Sequence, residues 1–257
     1  MTEGMGMDDR TADLARRLEE VRVRIDRSVA AADRTDPPTL IVVTKFHPAE
    51  DVRRLAALGV QDVGENRDQE ARAKAAEVDA PSGLDWHFIG QLQSNKAKYV
   101  VRYAAAVHSV DREALVSALS AAMVREQARR REAGTPPRRD LDCLIQVDLD
   151  PRPAQQRPEG IGARGGAQSD EVMALADQIA DAEGLALRGL MAVAPLGLDP
   201  TLSFQRLREI SATLVARHPE AGWISAGMSQ DLEEAVAAGA THLRIGTDVL
   251  GPRPDVG

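Results

Sequence analysis

Two short stretches late in the chain could hold a phosphate. In "SAGMSQD", Ser225, Gly227 and Ser229 stand between an apolar run and a helical one. In "RIGTDVLG", Gly246 and Thr247 follow another apolar run. Small residues and hydroxyls let the backbone approach an anion, and the free N–H groups and dipole of a helix start favour phosphate. Each stretch alone reads more simply as an N-cap or a turn. Arg244 lies two residues before Gly246 in a buried-type run. A buried guanidinium needs a partner, either a carboxylate such as Asp148 or Asp248, or a ligand toward which it is a fixed donor. Lys45 ends the run "LIVVT", and a lone lysine there is most simply a strand surfacing into water. Glu65 and Asn66 end another run. His87, between Trp86 and Phe88, reads first as a satisfied core histidine.

These residues fall at the ends of β-type runs near 40–44, 60–64, 85–89, 105–110, 141–149, 187–193, 222–226 and 241–245. Helical patterns separate the runs. "PAEDVRRLAALG" has Pro48 at a helix start and Gly59 at its end. Residues 11–33 form an additional opening helix, with Leu14, Leu18, Val21 and Ile25 on one face. Strict alternation of strand and helix implies a parallel sheet. Eight units in ~225 residues fit a single α/β domain, a TIM-type (β/α)8 barrel with an extra N-terminal helix, over residues 10–254. Residues 1–9 and 255–257 are expected as flexible termini. An open doubly wound sheet is the alternative, and no G-x-G-x-x-G follows the first strand to favour it. Residues 125–140 read as a helix end and linker. Residues 150–169, rich in Pro, Gly and Arg, read as a long surface insertion or, less simply, a mobile lid. In a barrel, polar residues at the C-terminal strand ends form the active face.

The chain has 257 residues and a formal charge of −8, which argues against nucleic acid or an anionic membrane as the main partner. Its one cysteine, Cys143, excludes an internal disulfide framework and reads as a buried thiol. No apolar run is long enough to span a membrane, and the acidic start is unlike a signal peptide, so a cytoplasmic location is the default. No metal constellation is evident, and there is no nucleophile elbow.

"VTKFHP", "GENRDQE", "WHFIGQLQSNK", "LRGLMAVAP", "SAGMSQDLEEAVAAGATHLRIGT" and "VLGPR" together resemble the pyridoxal phosphate homeostasis proteins, the YggS/PROSC family. The motifs come in the family's order and span nearly the whole chain. The resemblance implies the alanine-racemase N-terminal barrel. It implies that Lys45 forms the Schiff base with pyridoxal 5′-phosphate, that Asn66 and His87 lie near the ring face, and that Met228, Ser229, Gly246 and Thr247 cradle the phosphate. It places Arg244 opposite the pyridine nitrogen. An arginine there weakens the electron sink that catalysis needs, and the only tyrosines, Tyr99 and Tyr103, are not at a strand end. The expectation is therefore a protein that carries, buffers or delivers the cofactor. A weak pyridoxal-phosphate-dependent amino-acid racemase is the alternative. Cofactor-dependent apoenzymes are the implied partners, and a monomer is expected rather than a stable oligomer.

Overall fold

The computed structural model describes residues 8–78, 83–157 and 165–253. Eight parallel strands follow one another in sequence order around a closed ring. They are β1 (Thr39–Val43), β2 (Asp62–Glu65), β3 (Asp85–Phe88), β4 (Ala106–Val110), β5 (Leu141–Gln146), β6 (Leu185–Met191), β7 (Trp223–Ser225) and β8 (His242–Ile245). β1 pairs with β2 on one side and β8 on the other, which closes the barrel and rules out the open sheet. The strands are short and rich in branched apolar residues because both faces are covered. In β1, Ile41, Val42 and Val43 are all buried.

The covering helices are α2 (Ala49–Ala57), α3 (Asp68–Glu77), α4 (Ala97–Val100), α5 (Glu113–Glu132), α6 (Val172–Ala180), α7 (Pro200–Arg217), α8 (Leu232–Ala237) and α9 (Thr247–Leu250). They are preceded by α1 (Asp9–Ala31), which packs its Leu14, Leu18, Val21 and Ile25 stripe against the barrel and lies along α8 and α9. The Asp8 carboxylate accepts from the Thr11 N–H at 2.9 Å and caps this helix. The expected flexible start at residues 1–9 is thus corrected, since Asp8 and Asp9 cap and open α1; residues 1–7 and 254–257 lie outside the described residues. No described helix is long and apolar enough to cross a membrane.

Of the two long connections, residues 125–140 are the helix end and linker read from the sequence. α5 continues to Glu132, because Arg129 and Arg130 reach back to the buried Glu126 at 2.6 and 3.1 Å. After β5, a short helical turn covers Ala154–Gln156. Arg152 pairs with Asp150 at 2.8 Å and Arg157 with Asp148 at 2.9 Å, while Ala167 bridges Val147. The described part of 150–169 is thus held down by ion pairs, and residues 158–164 lie outside the described residues. Cys143 is buried and free, and burial pushes its thiol up, so it is inert.

Candidate functional site

A cavity of about 460 Å³ opens at the C-terminal ends of the strands, a size typical of small-ligand sites. Lys45 enters it from just beyond β1 and Arg244 from β8. The turn Met228–Asp231 and the pair Gly246-Thr247 form one wall; the loop Ala194–Leu198, with Val43 and Ile89, forms the apolar remainder.

Lys45 is half-buried and makes no hydrogen bond or ion pair among the described residues. Its ammonium is held below the usual lysine value, first by burial, then by Arg253 and Arg67, against the opposing pull of Glu65 and Glu70. The backbone turns sharply after it, since Phe46 has φ 68°, a left-handed conformation that a bulky residue adopts only when its surroundings demand it. Those surroundings are specific. The Phe46 N–H donates to Glu70, and its ring meets the guanidinium groups of Arg253, at 4.0 Å, and Arg67, at 5.3 Å. Behind the turn, Lys74 of α3 donates to the Thr44 carbonyl at 2.7 Å, to Glu65 at 2.7 Å and to Glu70 at 2.6 Å. Thr44 Oγ1 donates to the same Glu65 oxygen at 2.7 Å. Burial raises the Glu65 carboxyl above its ordinary value, and Lys74 opposes that rise. This buried network fixes the segment that carries Lys45.

The wall formed by the last two strand ends is held from both sides. Gly227, at φ 90°, brings the β7–α8 turn so close to α8 that a Cβ would sit 2.6 Å from the Ala235 Cβ. Asp231 accepts from the Met228 N–H at 2.6 Å. From outside, Arg24 of α1 donates to the Ser229 carbonyl at 2.9 Å and to Asp248 at 3.2 Å, and it also grips Glu233 at 2.6 Å. One side chain thus ties both turns together. Among the described residues, the N–H groups and hydroxyls of Ser229 and Thr247 find no acceptor, which leaves them available to an anion in the cavity.

Arg244 is buried, but not in the ion pair that its sequence neighbourhood offered. Asp148 binds Arg157 and Asp248 binds Arg24. Arg244 instead donates to Ser225 Oγ at 2.6 Å and to the Ala192 carbonyl at 2.9 Å. Burial brings it down to about 10, so it stays cationic at neutral pH.

Of the residues singled out from sequence, Lys45, Met228, Ser229, Arg244, Gly246 and Thr247 meet at the cavity. Asn66 stands outside its wall just beyond β2, where its backbone carbonyl fills the space a Cβ at Gly90 would take, and its buried Oδ1 has no partner among the described residues. His87 is not brought to the wall. Its Nε2 faces Asp62 at 2.9 Å and its Nδ1 faces His108 at 2.9 Å. Inward-facing positions two apart on a strand belong to successive layers of a barrel interior. Ile89 takes the cavity layer, and His87 lies one layer below. Ser225 likewise points inward and is fully buried. The sequence reading missed Lys74 and Arg24 as supports. Each sits on the inward stripe of its helix, Lys74 between Ala71 and Val78, Arg24 between Val21 and Ser28, and a charged residue on such a stripe is the signal. His47 and Asp51, four apart, approach to 3.7 Å, but Asp51 is already held by Arg10; no cluster of three metal-ligating groups exists among the described residues.

Another buried histidine carries a pH prediction. His242, against the Trp223 ring at 4.3 Å, is pushed down by burial to about 4. Its neutral form is favoured by the fold, so its contribution is whole above 6.5 and is lost as pH falls toward 4. The difference is about 3 kcal/mol. Urea unfolding at neutral pH and near pH 4 should show a smaller acid loss for His242→Gln than for the parent by roughly that amount. Equal losses would assign the acid sensitivity elsewhere.

The family described as alanine racemase, N-terminal domain, matches residues 18–254, so a barrel of that class is what the fold and cavity define. The pyridoxal phosphate homeostasis protein of Corynebacterium glutamicum is 42% identical over 235 residues, 91% of this chain and 99% of its own. That of Mycobacterium tuberculosis is 40% identical over 258 residues, covering 95% of each. PipY from Synechococcus elongatus, solved with pyridoxal phosphate bound, is 34% identical, with a TM-score of 0.74 over 93% of this chain and 100% of that one. This chain belongs to the pyridoxal phosphate homeostasis protein family.

Proposed function

We propose that this chain binds pyridoxal 5′-phosphate covalently at Lys45 and carries, buffers or delivers it. The observation that carries this reading is the half-buried, unpartnered Lys45 amine with a lowered pKa, in the same cavity as an arginine and two turns with free N–H groups. Such an amine is more often neutral than an ordinary lysine, and a neutral amine is what adds to an aldehyde. When bound, the cofactor supplies that aldehyde, a phosphate and a pyridine ring. Lys45 would hold the cofactor by its Nζ, Ser229 and Thr247 would hold the phosphate with N–H and hydroxyl groups with Met228 and Gly246 beside them, and Arg244 would face the ring nitrogen. A relative named for homeostasis of this cofactor, and another solved with it bound, support the same ligand.

Carriage is favoured over turnover by what borders the cavity. Its described walls contain no tyrosine, histidine or cysteine to serve as a second acid or base, and their one carboxylate, Asp231, is engaged by the Met228 N–H. A permanently cationic arginine at the ring nitrogen disfavours its protonation and weakens carbanion stabilisation. Enzymes lacking this cofactor are the recipients, and a monomer suits that transfer.

The test is an absorption titration of purified protein with pyridoxal phosphate. A band of the protonated imine, distinct from the free aldehyde, supports the reading. Its absence removes it and leaves a sugar-phosphate-binding barrel as the better account. Exchange of the amino-acid Cα proton in deuterated water, dependent on Lys45, would instead favour the racemase.

A further inference from the structure

Beneath the cavity, an unbroken line of hydrogen bonds crosses the barrel interior. Asp62 at the start of β2 faces His87 Nε2 at 2.9 Å, and His87 Nδ1 faces His108 Nε2 at 2.9 Å. His108 Nδ1 faces Ser225 Oγ at 2.9 Å, and Ser225 Oγ meets Arg244 at 2.6 Å. Four strands thus contribute one side chain each between Asp62, which is partly exposed, and the cavity, where Arg244 emerges. We propose that Asp62, His87, His108 and Ser225 form a hydrogen-bond chain of fixed direction, and that it positions Arg244 by holding its guanidinium in one orientation as a donor to the cavity.

The direction follows from the two ends. A guanidinium has donors only, and a carboxylate has acceptors only. Ser225 Oγ accepts from Arg244, so its own proton is free to donate to His108 Nδ1. His108 then carries its proton on Nε2 and donates to His87 Nδ1. His87 in turn carries its proton on Nε2 and donates to Asp62. Every donor meets an acceptor, and both imidazoles are neutral. The surroundings of His108 agree: it is fully buried, and the charged or titratable groups acting on it are His87 on β3 and Arg244 and His242 on β8, none of them acidic.

The reversed direction leaves faults at both ends. His108 Nδ1–H would donate to Ser225 Oγ alongside Arg244, and the hydroxyl proton would have no acceptor in a fully buried position. His87 would turn an unprotonated nitrogen toward the Asp62 carboxylate, acceptor against acceptor. Protonating His87 mends the second fault but not the first, because His108 must still donate at Nδ1. The forward arrangement alone satisfies the whole line. At its upper end Arg244 is pinned at one terminal nitrogen by Ser225 and at the other by the Ala192 carbonyl, and its remaining N–H groups are left for the cavity. His87 thereby acts on the cavity without lining it.

The part of this inference that concerns the cofactor ring rests on the function proposed above; the chain itself does not. It is tested first on ligand-free, 15N-labelled wild-type protein by NMR. His87 and His108 should both be neutral Nε2–H tautomers at neutral pH. A doubly protonated His87 or an Nδ1–H tautomer of His108 would overturn the proposal, with no variant required to fold. The second measurement compares the wild type with Ser225→Ala. Arg244 side-chain N–H signals should be resolved and slow to exchange in the wild type, and averaged or lost in the variant. Pyridoxal phosphate affinity should fall about tenfold in a correctly folded variant. Unchanged guanidinium signals or unchanged affinity would remove the positioning role. Absence of any cofactor band in the wild type would defeat the proposed function and leave the tautomer and guanidinium results to decide this inference.

Discussion

Lys45→Ala is expected to abolish trapping of pyridoxal phosphate by borohydride and to weaken its binding on the order of a hundredfold or more, while leaving the fold intact. The two halves rest on different facts. Lys45 makes no hydrogen bond or ion pair among the described residues, so its truncation orphans no buried group. Stability should change by no more than about 0.5 kcal/mol, as for a surface site. Binding loses a covalent bond rather than a contact, which is why the expected loss is large. Lys45→Arg keeps the charge but offers no reactive amine, and should fail in the same way. The measurement is mass spectrometry of peptides after reduction, with an absorption titration alongside. Label on Lys96 or Lys98 would move the attachment to α4 and its preceding turn. Both lie against Tyr99, at 5.8 and 5.0 Å from its ring, away from the cavity wall.

Lys74→Met should be among the most destabilising single changes, at about 3–5 kcal/mol. The lysine is buried and bonds three oxygens, those of Thr44, Glu65 and Glu70. Removing it leaves the Glu65 carboxylate, itself 1% exposed, without its cation. Burial already raises Glu65 above its ordinary value of 4.5, and loss of Lys74 removes the force opposing that rise. A carboxyl raised in the fold binds its proton more tightly there than in the unfolded chain. Its protonation therefore favours the fold, fully below 4.5 and progressively less as pH rises through the folded value. The deficit of Lys74→Met against wild type should accordingly be largest at neutral pH and shrink toward pH 4.5, in urea titrations at both. Adding Glu65→Gln should recover part of it at neutral pH. A deficit independent of pH and of Glu65→Gln would make Lys74 a packing residue only. Because Thr44 and Phe46 hang from this network, cofactor binding should weaken in the same variant.

The fold was legible because each strand is an apolar run and each helix keeps its stripe, as Leu14, Leu18, Val21 and Ile25 do in α1. Strand ends then located the cavity, since in a closed parallel barrel they all open on one face. Lys45, Arg244 and the Ser229 and Thr247 turns could be found by that rule alone. Depth could not. Whether His87 lines the cavity or the layer beneath depends on strand stagger, which no single strand's sequence states. The supports were hidden for a related reason. Lys74 and Glu65 are nine residues apart on different elements, and only packing of α3 onto β2 shows that each satisfies the other. Arg24 and Ser229 are 205 apart. Asp148 and Asp248 were plausible partners for Arg244 by composition, yet each was already taken by a nearer arginine.

The Arg24 clamp has a consequence for biosynthesis. Its partners Ser229, Glu233 and Asp248 are made more than two hundred residues after it. The β1–β8 seam and the Arg10 bond to the Leu250 carbonyl span similar distances along the chain. Contacts this remote form late, because long loops must close before they are rewarded. On the ribosome, the first helix emerges early, meets α2 through Arg10 and Asp51, and waits for the last two helices to complete its packing. The Ser229 and Thr247 turns are tied to each other through Arg24 of that helix. On the function proposed above, ligand capture would therefore report on a finished ring, and a chain cut before β8 should keep Lys45 yet fail to bind pyridoxal phosphate.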